Sequence, residues 1–211
     1  VLIYPDSAEA RERAAEVVAA GKIVAFRTDT FYGLGVDPFR PSALRALNAL
    51  KGRDDKPILV LASDLHVIDR LTAERSAGFD ALRARLWPGA VTLVVAARAE
   101  VSELLTAGTG TIGVRLPADV DARAVVRACG GVLTATSANP SGQTPARVAS
   151  EVARYFSEGL GMILDGGAAR SELPSTVLDI SGPRPRLIRE GVVGRAEIEA
   201  TLRAAGAGSL S

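Results

Sequence analysis

The sequence predicts an α/β fold built on a mixed sheet with helices packed against it, and three observations carry that expectation. Helix-like and strand-like segments alternate along nearly all of the 211 residues. Two strand-like segments near the end, 175–180 and 186–189, lie too close together for a helical crossover, so the sheet cannot be wholly parallel. No linker interrupts the chain, and 47% apolar residues suffice for one sizeable core, so residues 1–211 are expected to form a single domain with a flexible tail from about residue 205.

In order along the chain, SAEARERAAEVVAA (7–20) places Ala10, Ala14, Val17 and Val18 on one helical face. Asp6 and Glu9 are spaced like a capping box, and Gly21 is the stop. KIVAF (22–26) reads as a buried strand, and SALRALNAL (42–50) as a helix opened by Pro41 and Ser42. PILVLA (57–62) is a strand. A helix from about Glu74 to Leu86 stops at Trp87-Pro88-Gly89, before the strand VTLVVAA (91–97). Further strands are expected at 111–116, 131–136, 161–165, 175–180 and 186–189, about eight in all. Helices are expected near 119–128, 145–156 and 194–204.

Composition excludes several classes. No apolar run approaches the roughly 18 residues of a membrane span. With 25 basic and 24 acidic side chains, no global field draws the chain to nucleic acid, so any anion site must be local. A single cysteine, Cys129, rules out an internal disulfide or a cysteine-based zinc cluster, and with no signal-like segment the expected location is cytoplasmic. Walker A, G-x-G-x-x-G and H-E-x-x-H patterns are absent.

Polar clusters after predicted strands are where an open α/β sheet binds ligands. TDTFYGLG (28–35) gathers Thr28, Asp29, Thr30 and Tyr32 after one strand, more than a plain turn requires. KGRDDKP (51–57) brings Lys51, Arg53 and Lys56 together; alone it reads as a cationic helix end, and beside the other loops as a polyphosphate contact. TATSANPSGQ (134–143) contains Ser137 without a nucleophile elbow. The one histidine, His66, sits at the start of a short amphipathic helix, where capping or packing explains it. Ser137, Asn139, Ser141 and Gly142 therefore suit holding a ligand rather than attacking it, or else form a turn. Arg115 inside the strand pattern TIGVRLP demands an anionic partner, either a ligand carboxylate or a structural salt bridge. Ser175, Thr176 and Arg189 flank the last two strands, and Cys129 has an inert, apolar setting.

Taken in order, TDTFYGL, KGR, WPGAVTL, VRLP, TSANPSG, PSTVLD and LIREG resemble the motif series of the YrdC-like L-threonylcarbamoyladenylate synthase family in its single-domain form, over about residues 2–202. The resemblance implies an open twisted sheet with a basic concave cavity. It also implies an enzyme that joins L-threonine, bicarbonate or CO2, and ATP into threonylcarbamoyl-adenylate and pyrophosphate, using Mg2+. The product would pass to a downstream tRNA-modifying transferase complex acting at A37. On the matching positions, Thr30, Arg115, Ser137 and Ser175 would contact threonine, and Lys51, Arg53, Thr111, Asn139 and Arg189 would contact ATP, with Lys51 and Arg53 neutralising charge as pyrophosphate leaves. Arg27, Leu61 and Ala146 depart from the residues usual at their positions. Rival readings are a double-stranded RNA-binding module, against which the near-neutral charge and 4% aromatic content argue, and a carbamoyl-adenylate-forming enzyme of the same fold.

Overall fold

The structure, a computed structural model, describes residues 1–52, 56–73 and 76–211. Its elements run β1 (Ile3–Pro5), α1 (Ala8–Ala19), β2 (Ile23–Arg27), β3 (Tyr32–Gly35), α2 (Pro41–Lys51), β4 (Val60–Ala62), α3 (Leu65–Asp69), α4 (Ala77–Leu86) and β5 (Val91–Ala96). They continue with α5 (Glu103–Thr106), β6 (Thr111–Arg115), α6 (Val120–Ala128), β7 (Val132–Thr134), β8 (Thr136–Ser137), α7 (Ala149–Tyr155), β9 (Leu160–Asp165), β10 (Thr176–Asp179), β11 (Arg186–Arg189) and α8 (Arg195–Ala204).

The α/β class with mixed pairing and flanking helices holds, but the strands divide between two sheets. One is five-stranded, in the order β1-β9-β2-β3-β8, and the other six-stranded, β11-β10-β5-β6-β4-β7. Both mix parallel and antiparallel neighbours. The closely spaced β10 and β11 pair antiparallel, as their short separation requires. The expected strand 131–136 is in fact two: β7 pairs with β4 in the larger sheet, β8 pairs with β3 in the smaller, and the chain changes sheets at Ala135. Ala135, Thr136 and Ser137, at that crossing, face a space that residues of both sheets line.

Local chemistry explains the elements that frame this space. Helix α2 begins with Pro41 at its first position and buries Ala43, Leu44 and Leu47 at helical spacing. Lys51 falls on the same buried face one turn on, and the helix ends at Gly52 with φ 57°, a left-handed cap that glycine adopts without strain. Helix α1 is capped by Ser7, whose hydroxyl accepts the Ala10 N–H; the Asp6 carboxylate instead accepts from Arg11 at 2.6 Å, so the expected capping box does not form. Most of the core is one apolar cluster reaching from Leu44 and Leu47 to Val91, Leu93 and Ile198. A second cluster, with Val18, Phe26 and Val125, joins α1 and α6 to the smaller sheet. Past α8 the last residues fold back, with the Ser211 N–H donating to the Pro185 carbonyl at 3.0 Å.

Candidate active site

A cavity of about 280 Å3 is lined by residues from seven separated segments. Thr28, Thr30 and Phe31 come from the β2–β3 connection, Tyr32 and Gly33 from the start of β3, and Pro57 and Leu59 from the approach to β4. Arg115 ends β6, Ala135 to Ser137 sit at the sheet crossing, and Pro145, Pro174, Ser175 and Arg189 complete the wall. Arg115, Ser175 and Arg189 meet because of strand register. β5 is antiparallel to β6 and parallel to β10, which is antiparallel to β11, so the end of β6, the start of β10 and the end of β11 share one edge.

Arg115 is 3% exposed, and its Nη2 donates to Asp29 Oδ1 at 2.7 Å, so the structural half of the sequence expectation, a salt bridge, is present. Its Nε is buried without a hydrogen-bond partner among the described residues, which leaves the guanidinium short of an acceptor. Arg189 donates from Nε and Nη2 to the Ser175 carbonyl at 3.0 and 2.9 Å, and from Nη2 to the Ser175 hydroxyl at 3.1 Å. Burial lowers the pKa of both arginines from the ordinary guanidinium value. For Arg115 the Asp29 carboxylate opposes that shift, whereas for Arg189 the positive charge of Arg115 adds to it.

The hydroxyls are also oriented. Thr28 Oγ1 donates to the Phe31 carbonyl at 2.8 Å and accepts the Thr30 N–H at 3.2 Å. Its proton being spent, the 3.2 Å contact between the two threonine hydroxyls has Thr30 as donor, and Thr30 keeps its lone pairs for another group. Ser175 Oγ also lies 3.2 Å from Thr92 Oγ1.

Of the residues singled out from sequence, Thr30, Arg115, Ser137, Ser175 and Arg189 come together in this cavity. Lys51 is buried outside its lining; the ammonium donates to the backbone carbonyls of Ser137 and of Asn139, the latter at 2.9 Å. Asn139 is 6% exposed, and its Nδ2 donates to the Pro140 and Gln143 carbonyls at 2.9 and 2.6 Å. Thr111 starts β6, about 13 Å from Arg115 by strand rise, with its hydroxyl 2.9 Å from that of Thr109. Arg53 lies outside the described residues. The three departures do not line the cavity: Leu61 and Ala146 are buried in apolar clusters, and Arg27 forms an ion pair at 3.0 Å with the buried Asp119. His66 is exposed on α3, and burial pushes the Cys129 thiol up to about 12, which keeps it unreactive.

Sequence reasoning missed Asp29 as the partner of Arg115, although a carboxylate beside two hydroxyls in TDT was the available signal. Leu59, Ala135 and Pro145 carried no signal, being apolar wall residues that only the tertiary arrangement brings to the cavity.

An α/β protein with one buried arginine, a second, more exposed one and oriented hydroxyls around one cleft has the make-up of the class of proteins whose clefts suit a small, acceptor-rich ligand. Comparison with known proteins narrows this. The family model Sua5_yciO_yrdC, described as telomere recombination, matches residues 16–191. The threonylcarbamoyl-AMP synthase of Thiobacillus denitrificans is 38% identical over 180 residues, covering 83% of this chain and 95% of its own. That of Bacillus subtilis is 33% identical over 192 residues, covering 90% of this chain and 56% of its own. The crystal structure of P. abyssi Sua5 complexed with L-threonine superposes with a TM-score of 0.91 at 31% identity, covering 100% of this chain and 61% of that one. The chain thus spans little more than half the length of the Bacillus relative. It belongs to the Sua5/YciO/YrdC family.

Proposed function

We propose that the chain catalyses formation of L-threonylcarbamoyladenylate and pyrophosphate from L-threonine, bicarbonate or CO2, and ATP, for transfer onto A37 of tRNA by a downstream enzyme complex. The observation that carries this reading is the convergence of Thr30, Arg115, Ser137, Ser175 and Arg189 on one cavity in a family whose relatives are named for that reaction.

Arg115 receives the threonine carboxylate at its unsatisfied edge, and the Thr30 lone pairs accept an N–H or O–H of the amino acid. The neutral amine of threonine forms a C–N bond to CO2 and loses a proton, giving a carbamate. A carbamate oxygen then attacks the α-phosphorus as the bond from that phosphorus to the pyrophosphate oxygen breaks. No covalent enzyme intermediate is needed. Holding carbamate, phosphorus and leaving oxygen in line lowers the barrier by several kcal/mol, with a limit of about 7 to 11. Arg189 stabilises charge on the phosphates, with Arg53 and the remaining ATP contacts, Lys51, Thr111 and Asn139, assigned by family resemblance. Lys51 acts on the phosphates through the Ser137–Asn139 backbone it holds.

Magnesium enters with the nucleotide as MgATP, held through phosphates and water; among the described residues no three His, Cys, Asp or Glu side chains gather to hold a metal. Among the described residues no helix is long and apolar enough to cross a membrane.

The test is incubation with MgATP, bicarbonate and labelled L-threonine. Threonine-dependent release of pyrophosphate, matched one for one by threonylcarbamoyl-adenylate, is the expected result. Turnover independent of threonine, or none, contradicts the proposal.

A further inference from the structure

The two arginines of the cavity are not balanced alike. Arg115 has a carboxylate partner: Asp29 Oδ1 accepts its Nη2 at 2.7 Å, and Asp29 Oδ2 is fixed by the Ala118 N–H at 3.1 Å. The pair is secluded, with side chains 3% and 10% exposed. Arg189, among the described residues, bonds only to neutral acceptors, the carbonyl and hydroxyl of Ser175. The Arg115 end is therefore close to electrically neutral while still lacking an acceptor for Nε. The Arg189 guanidinium has no carboxylate partner among the described residues to offset its charge.

Ligands of different charge respond oppositely to this asymmetry. An amino-acid zwitterion has no net charge; its carboxylate can satisfy the open edge of Arg115, and its ammonium is favoured by a nearby carboxylate. A phosphate group carries about 1.5 to 2 negative charges near pH 7, so it is repelled by Asp29 and drawn to Arg189. The geometry points to Asp29 as the specificity-determining residue that sorts the two substrates, reserving the Arg115 end for a zwitterionic amino acid and leaving the Arg189 end to phosphate. Asp29 acts through Arg115 and through its own charge, not on the reacting atoms. This inference rests on the synthase reading for the identity of the zwitterion, L-threonine, while the charge asymmetry itself stands on the contacts above.

Without Asp29 the cavity holds two uncompensated guanidinium groups. Calorimetric titration of the purified chain with L-threonine alone, and separately with inorganic phosphate alone, tests the consequence without turnover. Asp29→Asn, nearly the same shape but uncharged, is expected to bind phosphate at least about 5-fold more tightly than the native chain. Its threonine-to-phosphate affinity ratio should fall at least as far. Asp29→Glu keeps the charge and should hold that ratio within about 3-fold; it decides the matter if circular dichroism shows Asp29→Asn to be unfolded. Unchanged or weaker phosphate binding by folded Asp29→Asn overturns the inference, as does a ratio in Asp29→Glu that falls beyond that range. If the native chain binds no L-threonine, the synthase reading fails, and the phosphate titrations still judge Asp29.

Discussion

Lys51 shows how a single side chain acquires its role from the face it occupies. It follows Leu44 and Leu47 on the buried side of α2, so its ammonium leaves bulk water and must find acceptors, which the carbonyls of Ser137 and Asn139 provide. The consequence is mechanical: one cation fastens the C-terminal end of α2 to the end of β8, at Ser137, and to the loop that follows it. Lys51→Met keeps the aliphatic stem and removes the donor. It should lower unfolding free energy in urea by on the order of 1 to 3 kcal/mol, because buried carbonyls lose their partner. Product formation should fall with it as Ser137 loses its anchor. A variant with native stability and impaired turnover would show instead that Lys51 serves the phosphates alone. The sequence pattern disclosed that Lys51 is cationic and close to a polar loop. It could not disclose which backbone groups the ammonium would meet, because they lie 86 and 88 residues away in the chain.

Among elements, β10 and β11 matter most, because they set Ser175 against Arg189. Gly191, just past β11, runs so close to the Pro174–Ser175 backbone that an added methyl would overlap the Pro174 carbonyl oxygen. Gly191→Ala must push the end of β11 away from the start of β10, at a cost of about 1 to 3 kcal/mol for overpacking. Measured by thermal unfolding and by rate, it should be both less stable and less active; native values for both would mean the close approach is unimportant. These two strands were legible in sequence, since STVLDI and RLIR each carry apolar residues, some of them β-branched, and are separated by the turn residues SGPRP. β3 and β8 were not. YGLG carries two glycines in four residues and reads as a loop, yet β2 and β8 pair with it on both sides. β8 is only two residues long and continues the pattern of β7, so the change of sheet at Ala135 leaves no periodic trace. What was hidden is therefore the feature that creates the cavity, while the polar residues that furnish it were visible one by one. Arg115 stood out because an arginine in an apolar strand has to be paired. Asp29 stood out only as a member of the TDT cluster and not as the partner of Arg115, which is 86 residues distant.

For the whole molecule, two mixed sheets joined at a crossing hold a cleft whose hydroxyls and cations come from opposite ends of the chain, from Thr30 to Arg189. Such a cleft is held by the core beneath it, so a ligand that fits it need not expend binding energy on assembling these side chains. The proposed reaction requires the amino acid and the innermost phosphate of the nucleotide to share this cleft. The most direct measurement is a crystal structure of the chain with L-threonine and a non-hydrolysable ATP analogue bound together. The expected result places the threonine carboxylate on Arg115, its amine turned toward the α-phosphorus, and the phosphates on the Arg189 side. Threonine or nucleotide seated in separate clefts, with Arg115 and Arg189 touching neither, would contradict it.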